Sequence, residues 1–147
     1  MSNTNLLGSE EWAVVGVIDP DANTAGTLYT DDIDMSLFEQ VLVIGSVGVM
    51  VAASTVDISL VSGAAASPTT VVAGKAATQL VGSPNTGDDK QVLINCRGDE
   101  LTEGHRYVRA KMVIASAASD SAVIVLGKAK SLPSSDNDLA SVAEIIS

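Results

Sequence analysis

Apolar and polar residues alternate with a period of two along most of this chain. Between Thr55 and Val61, Val56, Ile58 and Leu60 share one parity, while Thr55, Asp57 and Ser59 share the other. That is the signature of a strand with one buried face. Arg106 to Ala115 repeats it, with Val108, Ala110, Met112 and Ile114 opposite Arg109 and Lys111, and Lys90 to Cys96 puts Val92, Ile94 and Cys96 on one side. Trp12 to Ile18 and Ala122 to Lys130 read as first and last strands. Asp19-Pro20 stops the first and Pro133 the last, because proline donates nothing to a ladder and restricts its predecessor. Gln40 to Ala52 reads as a long strand with both parities apolar: Val41, Val43, Val47 and Val49 against Leu42, Ile44 and Met50. Such a strand is central or covered by a partner. Thr27–Thr30, Thr69–Val72 and Lys75–Leu80 predict shorter strands. Met35 to Glu39 predicts one helical turn capped by Asp34.

Seven to nine short strands, separated by turn-rich segments such as Gly82 to Asp89, define an all-β, antiparallel β-sandwich. A jelly roll is the first expectation and an immunoglobulin-like sandwich the second. Nothing of 3.6-residue period is long enough to cross over between parallel strands. The expected organisation is an N-terminal arm over 1–11, a β-sandwich over 12–131 and a C-terminal tail over 132–147. Both ends read as flexible arms, and the apolar stripe of the tail must be buried either on its own domain or on a neighbouring subunit or another protein. The N-terminal arm carries Leu6 and Leu7. In the tail, Ser135 or Asp136 is a candidate cap for a short helix that aligns Leu139, Val142, Ala143 and Ile146. With Trp12 and Ile145, these residues are the interface candidates.

Composition then removes chemistry. The 147 residues hold one His, one Cys and one Trp, and aromatics are 3%. A lone Cys96 excludes an intramolecular disulfide. The longest apolar stretch, Val41 to Ala53, is too short for a helical membrane span, and the first twelve residues lack the basic segment of a secretory signal. A soluble protein without a membrane partner is expected. Net charge is −10, so no nucleic-acid binding is expected either. Residues 1–74 carry nine acids and no Lys or Arg; all eight basic residues lie between Lys75 and Lys130. This reads either as acidic solubility or as a charge-polarised body.

No motif survives as a reaction centre. Asp19, Asp21 and Asn23 have the spacing that opens a calcium loop, but Thr24 stands where glycine is needed and Thr30 where the bidentate glutamate is needed. A loose surface cation site is all that spacing leaves, and no metal is expected. His105 lacks a recognisable nucleophile and orienting acid, and no Gly-x-Ser-x-Gly elbow occurs. Arg97-Gly98-Asp99 matches a cell-adhesion tripeptide, yet it follows Cys96 where a strand must turn. Gly74-Lys75 and Gly127-Lys128 lack the remaining P-loop residues. Glu10-Glu11 and Asp99-Glu100 offer paired carboxylates without aromatic platforms for a sugar. The expectation is a protein that is not an enzyme and needs no cofactor.

Three blocks resemble a family of small proteins from the head modules of tailed bacteriophages and prophages. They are Trp12-Ala13-Val14-Val15-Gly16-Val17-Ile18-Asp19-Pro20; Gln91-Val92-Leu93-Ile94-Asn95-Cys96-Arg97 with Glu100-Leu101 and Arg106-Tyr107-Val108-Arg109; and Ser135-Asp136-Asn137-Asp138-Leu139-Ala140-Ser141-Val142 with Glu144-Ile145-Ile146. The resemblance implies a capsid decoration, or cement, protein: a jelly roll or related β fold, commonly a homotrimer. Such proteins bind the major capsid protein on the virion exterior after synthesis in the bacterial cytoplasm. It carries over no site residues. The competing expectation is a carbohydrate- or receptor-binding module, for example on a phage fibre.

Overall fold

In the computed structural model, residues 5–147 are described, and they form two antiparallel sheets packed face to face. The strands are β1 (Trp12–Asn23), β2 (Gly26–Tyr29), β3 (Ile33–Asp34), β4 (Phe38–Met50), β5 (Thr55–Gly63), β6 (Thr70–Ala76), β7 (Leu80–Val81), β8 (Lys90–Arg97), β9 (Tyr107–Ala115) and β10 (Ser119–Ala129). The first sheet has the order β1-β10-β4-β8, and the second β2-β9-β5-β6, with β3 also on β9 and β7 also on β5. The chain changes sheet between β1 and β2, β3 and β4, β4 and β5, β7 and β8, β8 and β9, and β9 and β10. The all-β antiparallel sandwich expected from the alternation is therefore the fold.

The inner faces form one core. Val41, Val43 and Val47 of β4 and Val123 and Val125 of β10 meet Val56, Ile58 and Leu60 of β5 and Val108, Ala110, Met112 and Ile114 of β9. Sheets in such sandwiches sit about 10 Å apart, so most side chains must be small, and larger ones need a gap opposite. Gly45 supplies one gap: a Cβ there would lie 2.4 Å from Ile58 Cδ1 of the other sheet. Gly127 supplies the other, because Phe38 lies flat across it and a Cβ would meet the ring at 2.7–3.0 Å.

Several local expectations are corrected. β1 does not stop at Ile18 but continues to Asn23. Pro20 is tolerated because β1 is an edge strand and the β1–β10 register shifts between Ile18 and Asp21, which removes the need for a donor there. Met35 to Glu39 is not helical. Asp34 does cap the segment, with its carboxylate accepting from Ser36 N, but Leu37 N bonds Asp34 O in a tight turn and β4 then starts at Phe38. Lys75–Leu80 splits between the end of β6 and the start of β7. In the N-terminal segment, Gly8–Glu11 forms a single helical turn, with Glu10 carboxylate accepting from Leu7 N; Leu6 and Leu7 precede it.

The charge halves interleave rather than separate. β9, carrying Arg109 and Lys111, lies between β2 and β5; β10, carrying Lys128, lies between β1 and β4. Each basic strand thus has neighbours drawn from the first 74 residues, which contain no Lys or Arg. Arg106 forks onto Asp34, with Nε–Oδ1 at 2.7 Å. Lys128 faces Glu39 at 3.7 Å, and Arg109 faces Asp32 at 3.9 Å. The charge-polarised body is not what forms.

Replacing Gly127 with Ala should lower stability by roughly 1–3 kcal/mol, because the Phe38 ring has nowhere to move, whereas Gly8→Ala, with open space around its Cβ, should leave the melting temperature unchanged. Thermal denaturation of the two variants checks this.

Candidate interaction surface

The two outer faces differ in kind. On the second sheet, the outward positions of β5 and β9 are largely polar: Thr55, Asp57 and Ser59 beside Arg109 and Lys111. The apolar Val61 in this face is fully covered. Arg109 lies 3.7 Å from the Tyr29 ring and donates to Pro68 O, while Asp32 accepts from Ser67 N. Those contacts pin the 64–69 loop over the sheet.

The outer face of the first sheet is apolar, and its register sets out rows across the strands. The first outward row is Trp12, Lys128, Gln40, Arg97; the second is Val14, Leu126, Leu42, Asn95; the third is Val17, Ile124, Ile44, Leu93. Beyond them come Ala122, Ser46 and Gln91, then Ala22 and Asp120 beside Gly48. Leu93 is 64% exposed and Ile124 43%. Contiguous exposed apolar residues on a folded surface mark a place where something else packs. Of the two readings of the doubly apolar strand, central or covered by a partner, β4 is central; its outward Leu42 and Ile44 are half-buried, and past the register shift beyond Val47 the expected parity reverses, with Val49 66% exposed and Met50 in the core.

The tail covers part of this face. Ser134 N donates to Glu10 O, Asn137 Oδ1 accepts from Val14 N, and Asp138 N donates to Val14 O. The segment therefore runs beside β1 and satisfies part of its free edge. The short helix expected to align Leu139, Val142, Ala143 and Ile146 does not form: a single turn over 139–141 follows, held by Asp138 rather than by Ser135 or Asp136. The Asp138 carboxylate accepts from Ala140 N and Ser141 Oγ, while Val142 N bonds Asp138 O. Asp138 wins because Asp138 N is already held by β1. Val142, Glu144, Ile145 and Ile146 then border a groove of about 730 Å³ floored by Trp12, Val14, Leu42 and Leu126.

The predicted interface residues divide between cover and exposure. Trp12 and Val142 are half-buried in the groove, and Leu6 is half-buried near the N-terminal turn. Leu7 and Ile145 are each 49% exposed, Leu139 77% and Ile146 87%. The residues that the alternation pattern alone does not single out are Ile124 and Leu93. Their signal is present, as apolar residues of outward parity on β10 and β8, but only the strand order brings them together.

Other candidate chemistry is dispersed or enclosed. Asn23 donates to Ser121 O and Asp21 Oδ1 accepts from Ala22 N, so Asp21 and Asn23 of the calcium-like spacing belong to the β1–β10 ladder. No group of three metal-ligating side chains occurs among the described residues. His105 Nδ1 shares a 2.8 Å hydrogen bond with Ser62 Oγ, and Ser62 is 1% exposed, at the end of the core. Burial pushes the Cys96 thiol up to about 11, so it stays protonated and packs as an apolar group. In the adhesion-like triplet, Arg97 pairs with Asp99, and Glu100 accepts from Arg97 N. Lys75 and Arg97 hold the Glu100 carboxyl below its ordinary value. No helix among the described residues is long and apolar enough to cross a membrane.

The Arg106 fork holds the Asp34 carboxyl well below the usual carboxylate range. A depressed folded-state value gives stability that is present above the unfolded carboxylate value and is lost as pH falls towards the folded one. Urea midpoints should therefore fall between pH 5 and pH 2 by less in Asp34→Asn than in the parent chain.

No family model and no curated protein matches this chain.

Proposed function

We propose that this protein is a non-enzymatic structural component of a tailed-phage head, binding the major capsid protein on the outside of the shell and stabilising it. The observation that carries this reading is the distribution of exposed large apolar side chains. Most of them lie on the outer face of the first sheet (Leu93, Ile124) or in the terminal segments (Leu7, Leu132, Leu139, Ile145, Ile146), with Leu37, Val49, Val51 and Val71 elsewhere, while polar groups that could do chemistry are paired, enclosed or scattered. Two of the three sequence blocks that resemble phage head proteins are also joined in space, since Val14 of the first bonds Asn137 and Asp138 of the third. The strand order β1-β10-β4-β8 over β2-β9-β5-β6 supports a jelly roll, the double Greek key that such shell-binding proteins often use.

In this reading the terminal segments hold the shell. Leu7, Leu139 and Ile146 stand out from the body, and several weak grips per copy add up through effective concentration. Copies repeated over a shell then oppose outward pressure from packaged DNA.

A second reading draws on the groove. Trp12 lines it beside Asn137 and Glu144, and an aromatic face with an amide and a carboxylate is chemistry that suits a sugar. A glycan array on the isolated chain separates the two: specific glycan binding favours the module.

Deleting residues 133–147 should reduce occupancy on capsids and lower their heat resistance at least several-fold in surviving particles. Capsid co-sedimentation and heat challenge check this, and unchanged occupancy would remove the tail from the mechanism.

A further inference from the structure

We propose that the free edge of β8 pairs with β8 of a second copy of this chain, laid antiparallel so that the first sheet runs on from one copy into the other. β8 closes the first sheet and, among the described residues, pairs only with β4. The other edges carry guards of the kind that keep sheets from joining. β1 has Pro20, register shifts and the tail bonded at Val14. β6 bends at Gly74, whose φ is +73°, and its register against β5 shifts. β2, β3 and β7 are only two to four residues long. β8 runs for eight residues without Pro, Gly or a register shift, and its charges, Lys90 and Arg97, stand at its two ends.

The contacts of the tail fix which backbone groups of β8 face outward. Opposite residues of antiparallel strands alternate between pairs that exchange two hydrogen bonds and pairs that exchange none. Val14 gives its N–H and C=O to residues 137 and 138, so it exchanges none with Leu126. Leu126 therefore bonds Leu42, and Leu42 exchanges none with Asn95. Asn95 points its N–H and C=O away from β4, and Gln91 and Leu93 share its parity. Arg97 agrees: its N–H is taken by the Glu100 carboxylate at 2.8 Å, which closes that end. The open run is Gln91, Leu93 and Asn95.

A second copy reads the same run backwards. A two-fold axis through Leu93 sets Leu93 on its mate and Gln91 on Asn95, so every outward N–H and C=O of the run finds a partner. Sliding the axis to Val92 or Ile94 leaves one of these residues unpaired. An axis between Leu93 and Ile94 would oppose Lys90 with Arg97, and backbone parity excludes it, because it sets residues bonded to β4 against open ones. In the centred register Arg97 stands opposite Asp89, just before the strand. On the outer face amide meets amide, and Leu93, 64% exposed, meets its mate. The apolar row of Val17, Ile124, Ile44 and Leu93 then continues into the other copy. On the inner side, a hollow of about 270 Å³ between residues 93–95 and residues 74–77 leaves room for the mate's Val92 and Ile94. The pairing is isologous and closes at two copies. One strand per copy buries less than the roughly 800 Å² per partner of a standard interface, so the dimer is weak and reversible.

The pairing needs no capsid, so it is measured on the isolated full-length chain, and its failure leaves shell binding untouched. Sedimentation velocity from roughly 10 μM to 1 mM should show a reversible species of twice the 15.0 kDa chain mass. Leu93→Pro should abolish it with circular dichroism unchanged, since the lost N–H faces away from β4 and proline is tolerated on that side of an edge strand. Leu93→Lys, which keeps the backbone whole, should abolish it too. Ile124→Lys, on the open face but off the edge, should leave it intact. Across the same range, amide hydrogen exchange at Gln91, Leu93 and Asn95 should slow with concentration, and that at Val14 should not. Disulfide oxidation of mixed Gln91→Cys and Asn95→Cys chains should join one variant to the other and neither to itself, because only opposite residues come within reach. A monomer throughout that range, a closed trimer, a dimer that survives both Leu93 variants, a dimer lost with Ile124→Lys, or cysteine pairing in another register would overturn the proposal.

Discussion

The structure depends on two neighbouring strands that are apolar on both faces. β4 and β10 lie side by side in the middle of the first sheet, and their inward valines close the core against β5 and β9. A sandwich asks only for one apolar face per sheet. The second apolar face, built from Leu42, Ile44, Ile124 and Leu126, is surplus to folding. It is partly covered by the tail and otherwise open. The second sheet shows the contrasting solution, where charged outward positions and a pinned loop leave little apolar surface for another molecule to cover.

Much of the fold was legible in the chain. Strict alternation located β5, β8 and β9 almost to the residue, and the double apolar parity of 40–52 marked a central strand. Pro20 misled because a stop signal is conditional: an edge strand at a register shift needs no donor at that point. The tail cap was misplaced for a related reason. Ser135 and Asp136 are good caps locally, but the turn begins where β1 holds the chain, at Asp138. Strand order was not legible, because every sandwich topology shares one alternation pattern. Charge distribution followed strand order into the same blind spot: a chain that is base-free over its first half folds so that those strands alternate with the basic ones.

The interaction surface was legible in part. Terminal apolar residues such as Leu139 and Ile146 stand out in sequence because nothing local needs them. Ile124 and Leu93 do not, being 31 residues apart and each an ordinary strand residue. They become one surface only when β4 places Ile44 between them. His105 illustrates the reverse. As the lone histidine it draws attention in sequence, yet in the fold it bonds a serine sealed at the end of the core.

The hydrogen bonds between Val14 and residues 137 and 138 bear on how copies of this molecule can join. A bare edge strand is a template: any extended peptide can dock on its free amides and carbonyls, and growth by that route has no natural end. By tying Val14 to Asn137 and Asp138, the chain occupies that template at one point of the strand that opens the sheet. An incoming peptide must displace the tail before it can pair there.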